Sequence, residues 1–300
     1  MDYLLIYYSI GDWGTNDLIQ NTADSVASTI GNYSIYSPPV FFVSLGDNFY
    51  ENGVTGIDDE KWKKIWFNRY ISPYPQLHYT SWFSVLGNHD YLGGMNSVNS
   101  EIEMTKFSKN WIMPENEFYY YDEKSNTSHI FIDTIKLYPE LYPYTKDLYT
   151  LDDGEKSILK IENMLIEANK KKSKWIFVYG HYQLFSNAHY GNYDKMIYLL
   201  LPLLQKYKVN VYFSGHDHSF QLLKYDNVYF CINGAGAYKS QLYRNNSNIE
   251  VRTFYSTNNN GFLIHKISDK HLNLQFVNSF NIVEFDYNIP HPGLEPGSPR

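Results

Sequence analysis

The sequence predicts an α/β protein, and three observations carry that reading. Short apolar runs of strand length alternate with amphipathic stretches of helical period, so that the first half reads β-α-β. From residue 228 onward the pattern is mostly strand. Most of the apolar runs end in a glycine beside a carboxylate, amide or imidazole, and in an α/β sheet the carboxyl ends of the strands converge on one crevice.

Residues 3–10 read as a buried strand. Residues 17–30 follow as a helix, because Ile19, Ala23, Val26, Ala27 and Ile30 recur at helical spacing, and Gly31 is expected to end it. Strands come next at 40–45, 82–86 and 129–133, then a helix over 154–168. Lys170, Lys171 and Lys172 finish that helix as a solvated last turn favoured by the helix dipole. A strand at 175–179, a helix at 196–207 and a strand at 210–213 lead into the β-rich end. No repeat of solenoid period and no Gly/Ser linker divides the chain. One domain is expected over 1–287, followed by a Pro- and Gly-rich tail over 288–300 that has nothing to pack with.

Composition excludes several functions. The net charge of −7 leaves no basic surplus to displace counterions, so no nucleic-acid partner is expected. No stretch approaches the roughly 18 apolar residues of a membrane span. Cys231 is the single cysteine, which forbids an intrachain disulfide, and its apolar setting makes it a core residue. The chain opens directly on its first strand, so no signal peptide is expected in it. Sequons stand at Asn32, Asn126 and Asn245. The 30 Tyr and 18 Phe are expected to fill core and surface positions alike.

Five clusters carry the chemistry: Gly11-Asp12-Trp13-Gly14, Gly46-Asp47-Asn48-Phe49-Tyr50, Gly87-Asn88-His89-Asp90, Gly180-His181 and Gly215-His216-Asp217-His218. Each closely follows an apolar run, and its glycine lets the backbone turn sharply and present the donor at a strand tip. Carboxylate, phenolate, amide and imidazole together suit a hard or borderline transition metal, and the lack of thiolates excludes a soft site. Any one cluster alone reads as a turn or a structural histidine; five in succession read as a site.

In these clusters the sequence resembles the purple acid phosphatases, within the calcineurin-like metallophosphoesterases, and among them the small tartrate-resistant type. The resemblance runs from Tyr3 to about Tyr287 and includes Trp111-Ile112-Met113-Pro114, Phe118-Tyr119-Tyr120, Phe131-Ile132-Asp133-Thr134 and Ile232-Asn233-Gly234-Ala235-Gly236. Most metallophosphoesterases open with Asp-x-His, whereas here Trp13 and Gly14 follow Asp12, and Tyr50 is available as a replacement donor. The resemblance implies a four-layer sandwich of two packed mixed β-sheets flanked by helices. It implies a ferric site of Asp12, Asp47, Tyr50 and His218, and a second site of Asp47, Asn88, His181 and His216 for Fe2+, Zn2+ or Mn2+. It implies hydrolysis of phosphate monoesters, on small molecules or phosphoproteins, by in-line attack of a metal-bound hydroxide. His89 and His189 are the implied catalytic histidines. The family's histidine matching His189 lies one residue further along, so this loop reads as shorter by one.

Asp90 is expected to orient His89 or cap the turn, and Asp217 to point away from its neighbours. His78, His129, His265, His271 and His291 are expected to be structural or exposed. The family is usually secreted, lysosomal or vacuolar, which sits poorly with the expected absence of a signal peptide, and its small mammalian type has a cysteine pair that Cys231 alone cannot form. Gln183 stands where proline is common. Two alternatives share the fold: a metallophosphodiesterase or protein phosphatase, and a non-catalytic scaffold or anchor. Scaffolds of this fold generally lose ligands, and here every expected position is filled.

Overall fold

A computed structural model describes residues 3–15, 20–243 and 249–294 of the chain. In chain order its strands are β1 (Leu5–Ile10), β2 (Phe41–Ser44), β3 (Ser81–Ser84), β4 (Trp111–Ile112), β5 (Phe118–Asp122), β6 (Thr127–Phe131), β7 (Trp175–Tyr179), β8 (Val211–Ser214), β9 (Phe220–Tyr225), β10 (Val228–Asn233), β11 (Arg252–Thr257), β12 (Gly261–Ile267), β13 (His271–Asn278) and β14 (Val283–Pro290). They form two seven-stranded sheets, ordered β14-β13-β12-β1-β2-β3-β4 and β11-β9-β10-β8-β7-β6-β5. β1 to β4 are parallel neighbours in the first sheet, and β6, β7, β8 and β10 in the second; the remaining pairings are antiparallel. Both sheets are mixed, as the resemblance implied.

The helices are α1 (Gln20–Tyr36), α2 (Asn88–Leu92), α3 (Gly94–Met104), α4 (Thr134–Leu137), α5 (Leu151–Lys170) and α6 (Asp194–Lys206). α1 packs on β12 and β13 of one sheet and α5 on β5 and β6 of the other, which gives the outer layers. α5 shows why such a stretch folds as it does. Thr150 caps it by accepting from the Asp153 N–H, and the Asp153 carboxylate returns a bond to the Thr150 N–H at 2.8 Å. Ile161, Met164, Leu165 and Ala168 then bury one face at helical spacing.

Aromatic residues fill the space between the sheets. Tyr7 and Phe41 meet the His129 ring at 5.5 and 5.3 Å, and Phe83 meets Phe131 at 5.5 Å. The Tyr7 and Tyr179 hydroxyls bond across the layer at 2.8 Å, so each phenol is satisfied where it is buried. Cys231 lies in this core on β10, fully buried, as expected.

Two local expectations change, and two elements escaped the sequence pattern. Gly31 does not end the first helix, which runs on to Tyr36; a Cβ there would sit 2.1 Å from the Tyr74 ring, so the glycine serves close packing. The start expected for that helix and the Asn245 sequon fall outside the described residues. Residues Trp62–Ile71 form a π-helical stretch and Phe220–Tyr225 a strand, neither of which the sequence pattern distinguished. Residues 288–291 are not the unpacked tail expected there: β14 continues to Pro290, and His291 packs edge-on against Trp175 at 5.1 Å while bonding the Lys174 carbonyl.

Candidate active site

The five clusters meet at one edge of the sandwich, where β1, β2, β3, β7 and β8 end. Three of the polar residues adopt left-handed backbone: Asp12 at φ 56°, Asp47 at 52° and His216 at 66°. Each costs about 1–3 kcal/mol and persists only where surrounding contacts hold it. Those contacts run between loops: the Asp12 N–H donates to the Gly46 carbonyl at 3.1 Å and the Gly215 N–H to the His181 carbonyl at 3.1 Å. Two glycines are required by close approach. A Cβ on Gly87 would lie 2.2 Å from the Asp47 carboxylate, and one on Gly215 would lie 2.6 Å from that of Asp12.

The side chains converge as two overlapping groups. In the first, the Tyr50 hydroxyl lies 2.7 Å from Asp47 Oδ2, 3.1 Å from Asp12 Oδ1 and 3.4 Å from His218 Nε2, and His218 Nε2 is 3.3 Å from Asp12 Oδ1. In the second, His181 Nε2 lies 3.1 Å from Asn88 Oδ1 and 3.4 Å from Asp47 Oδ1, and its ring centre is 5.0 Å from that of His216. Asp47 belongs to both groups. Asp12, Asp47 and His181 each place a ligand atom within 4.8 Å of the other two, and all three are buried. Buried carboxylates, phenol, imidazole and amide oxygen crowded to this degree fit metal cations well, since cations offset the charge that burial penalises.

The orientation of each donor is fixed from behind. His181 Nδ1 bonds the Leu45 carbonyl at 2.8 Å, which directs Nε2 inward. His216 differs: its Nε2 lies 2.8 Å from the Tyr193 hydroxyl and 3.2 Å from that of Tyr142, so Nδ1 is the ring nitrogen left for a ligand. The Asn88 amide donates from Nδ2 to the Tyr144 hydroxyl at 3.0 Å, which turns Oδ1 toward the site. Trp13 is buried in the aromatic core with Nε1 donating to Ser44 Oγ at 2.7 Å. Gly14 occupies the position where Asp-x-His proteins carry the imidazole. A Cβ there would fall 1.8 Å from the Asn48 carbonyl, and the Gly14 carbonyl accepts from the Tyr50 N–H at 2.8 Å.

Electrostatics follow from partners. Burial works to raise the Asp47 carboxyl, but His181 and then His89 and His216 outweigh it and hold it well below the usual range. Burial works to lower His181, and Asp47 followed by Asp12 outweigh it, lifting the imidazole to about 9. His216 is pushed well down, by burial and then by His181, which keeps it neutral. Burial and the Asp12 and Asp47 carboxylates push the Tyr50 phenol up; a metal cation among them would act in the opposite direction. Beneath the site, Asp90 accepts from the N–H groups of Gly87, Asn48 and Phe49 at 2.8, 2.9 and 3.1 Å. It therefore caps the turn and ties two site loops together, and burial and then Asp47 raise it to about 7.

Of the two expected catalytic histidines, His89 is at the centre. Its N–H donates to Asp47 Oδ1 at 2.8 Å, its ring lies 4.3 Å from that of Tyr50, and Nδ1 bonds the Glu51 carbonyl at 2.8 Å, leaving Nε2 free to face a substrate. His189 is exposed, with its ring edge-on to Tyr190 at 4.9 Å. Tyr190, the residue one further along, stacks on His216 at 4.3 Å. Asp217 points away from its neighbours as expected, and accepts from the Ser186 hydroxyl at 2.7 Å. The other five histidines lie outside the site, and His129 and His265 are fully buried between the sheets. Sequence reasoning missed the phenols of Tyr142, Tyr144, Tyr190 and Tyr193, because among 30 tyrosines no local spacing distinguishes them. A wide apolar cleft of about 780 Å³ between α5 and α6, lined in part by Leu137, Ile158 and Leu199, contains none of the clustered residues.

Comparison with known proteins agrees with this geometry. The calcineurin-like phosphoesterase family profile matches residues 9–220. Purple acid phosphatase 4 of Arabidopsis thaliana is 30% identical over 287 residues, covering 92% of this chain and 80% of that protein. Tartrate-resistant acid phosphatase type 5 of Homo sapiens is 27% identical, covering 95% of this chain and 91% of that protein. Among solved structures, GAP50, described as the anchor in the inner membrane complex of Plasmodium, superposes with a TM-score of 0.81 at 24% identity, over 96% of this chain and 89% of that one. That last likeness speaks to the fold alone. Among the described residues no helix is long and apolar enough to cross a membrane. The chain belongs to the calcineurin-like phosphoesterase family, on its purple acid phosphatase branch, and membership makes it a phosphatase of phosphate esters with a dinuclear metal centre.

Proposed function

We propose that the protein hydrolyses phosphate monoesters in acid, with Asp12, Asp47, Tyr50 and His218 holding a ferric ion and Asp47, Asn88, His181 and His216 a divalent one. The observation that carries this reading is the exchange at Gly14 and Tyr50. No side chain fits at residue 14, and the Tyr50 phenol stands instead against both carboxylates at 2.7 and 3.1 Å. A phenolate is a hard anionic donor that favours a trivalent ion. Bound there, such a pair of ions would acidify a water and neutralise phosphate charge.

The chain's own residues do the rest. The Leu45 carbonyl, the Tyr193 hydroxyl and the Tyr144 hydroxyl hold His181, His216 and Asn88 in their ligating orientations before any metal arrives. The Glu51 carbonyl holds His89 so that Nε2 can hydrogen-bond a phosphate oxygen or pass a proton to the leaving group. The Asp47 carboxylate both links the two ligand sets and accepts from the His89 backbone, which couples the position of His89 to the metals.

The test is hydrolysis of p-nitrophenyl phosphate at acid pH by protein reconstituted with iron and a divalent ion. Turnover in the wild type, with a purple absorption band that Tyr50→Phe abolishes, is the expected result. A colourless iron-loaded protein would remove Tyr50 from the ligand set. GAP50, whose fold this chain shares, is described as an anchor, and the alternative of an anchor without catalysis requires no turnover in the folded, metal-loaded chain.

A further inference from the structure

The loop that follows His181 fixes which side chain it turns toward the reacting centre. Asp217 Oδ2 accepts both from the Ser186 hydroxyl at 2.7 Å and from the Tyr190 backbone N–H at 3.2 Å. The Gln183 side chain donates to the Gly191 carbonyl at 3.0 Å, and the Gly191 N–H to the Ala188 carbonyl at 3.0 Å. These bonds tie the backbone on both sides of residue 190. His189 and Tyr190 are both exposed, and among its ring contacts His189 touches only the edge of the Tyr190 ring. Tyr190 lies flat on His216, 19° from parallel at 4.3 Å, with its hydroxyl hydrogen-bonded to that of Tyr142. Tyr190 is 37% exposed, so its ring covers His216 on one side and meets solvent on the other.

We propose that Tyr190, not His189, is the hydrogen-bond donor that this loop presents to the bound phosphate ester; the inference rests on the hydrolase reading above. A phenol offers one O–H donor, and the stack on His216 holds the ring so that this donor is in place before substrate arrives. The bond it makes strengthens as negative charge gathers on the phosphoryl and leaving oxygens, and no proton need change hands. The loop thus keeps a donor at the mouth of the site although no imidazole stands there.

Tyr190→Phe keeps the ring on His216 and removes only the hydroxyl. In the metal-reconstituted protein it is expected to weaken binding of inorganic phosphate, measured by titration calorimetry, by about 10- to 100-fold, the range for a hydrogen bond to a charged group. It should lower kcat/KM for p-nitrophenyl phosphate to a similar degree, with both metals retained. The effect of Tyr190→Phe should exceed that of His189→Ala at least tenfold. The reverse order would overturn the proposal, and so would loss of metal in Tyr190→Phe, since the hydroxyl would then support His216 and not touch the substrate. Should the wild type hold two metals and fail to turn over, the hydrolase reading falls, while the phosphate titrations still decide the Tyr190 contact.

Discussion

Four histidines lie fully inside this molecule, and they divide into two regions that share burial but little else. His129 and His265 sit between the sheets in regular strand, where His129 Nδ1 bonds the Tyr179 hydroxyl at 2.9 Å and His265 Nε2 the Ser9 hydroxyl at 2.8 Å. His181 and His216 sit at strand tips, each after a glycine, near the Asp47 carboxylate that the two proposed ligand sets share. Burial lowers His129 to about 3 and pushes His265 well down. The same burial acts on His181 and loses to Asp47, so that imidazole rises to about 9. Depth alone does not decide the charge on a buried imidazole; the group facing it does. His216 shows the boundary: Asp47 works to raise it too, but burial and then His181 outweigh that and it stays low like the core pair.

The comparison breaks most completely at Asp47. Asp47→Ala removes the carboxylate from both ligand sets, and the expected outcome is loss of both metals by elemental analysis and of turnover to background. The core region gives the control: the variant should unfold cooperatively with its inter-sheet aromatic layer intact. Two metals retained per chain would contradict the shared-ligand assignment.

His89→Ala should act on the chemistry without acting on the site. It leaves every proposed ligand in place, so metal content is expected to hold while turnover drops by about 10²–10⁴, the range for lost general acid–base help. Turnover at the wild-type rate would shift that role to another residue. Tyr193→Phe is expected to be milder. It removes the hydroxyl 2.8 Å from His216 Nε2 and should weaken the divalent site by about 10- to 100-fold in metal affinity, measured by competition with a chelator. The ferric site, which shares no contact with Tyr193 in this assignment, should keep its colour.

These three variants also mark what was legible in the sequence. Asp12, Asp47, Asn88, His181, His216 and His218 could be read because strand, glycine and polar donor lie next to one another in the chain, and that local pattern is what places a donor at a sheet edge. Tyr193 and Tyr144 could not, because their bonds to His216 and Asn88 span 23 and 56 residues and no chemistry-specific neighbour marks them. Residue 190 was hidden for the same reason: its stack on His216 depends on a loop that Asp217 ties from 27 residues away. Gly31 was read as a helix end from its flexibility, when its role is to admit the Tyr74 ring. Local grammar fixes strand tips; contacts between distant loops select which aromatic side chains serve them.

The smallest effect belongs to the core pair and appears only in acid. His129 and His265 are neutral in the folded state, while in the unfolded chain each takes up a proton near its ordinary value of about 6.5. Lowered imidazoles therefore cost stability as pH falls below about 6.5, and for His129 the loss continues down to about 3. The slope per histidine approaches about 1.4 kcal/mol per pH unit, an upper bound because burial alone sets it. Asp90 and Asp133, raised to about 7 and about 6 chiefly by burial, act in the other direction, since the folded state holds their protons more tightly. A single stability curve would mix these contributions, and a variant separates them. His129→Phe preserves an aromatic ring against Tyr7, Phe41 and Phe177 and leaves the Tyr179 hydroxyl bonded to that of Tyr7 at 2.8 Å. Its urea midpoint should fall less than the wild type's between ~pH 7 and ~pH 4.5, by the equivalent of about 1–3 kcal/mol. Equal losses in the two proteins would mean that His129 is protonated within the fold, and the contrast between core and site imidazoles would not hold.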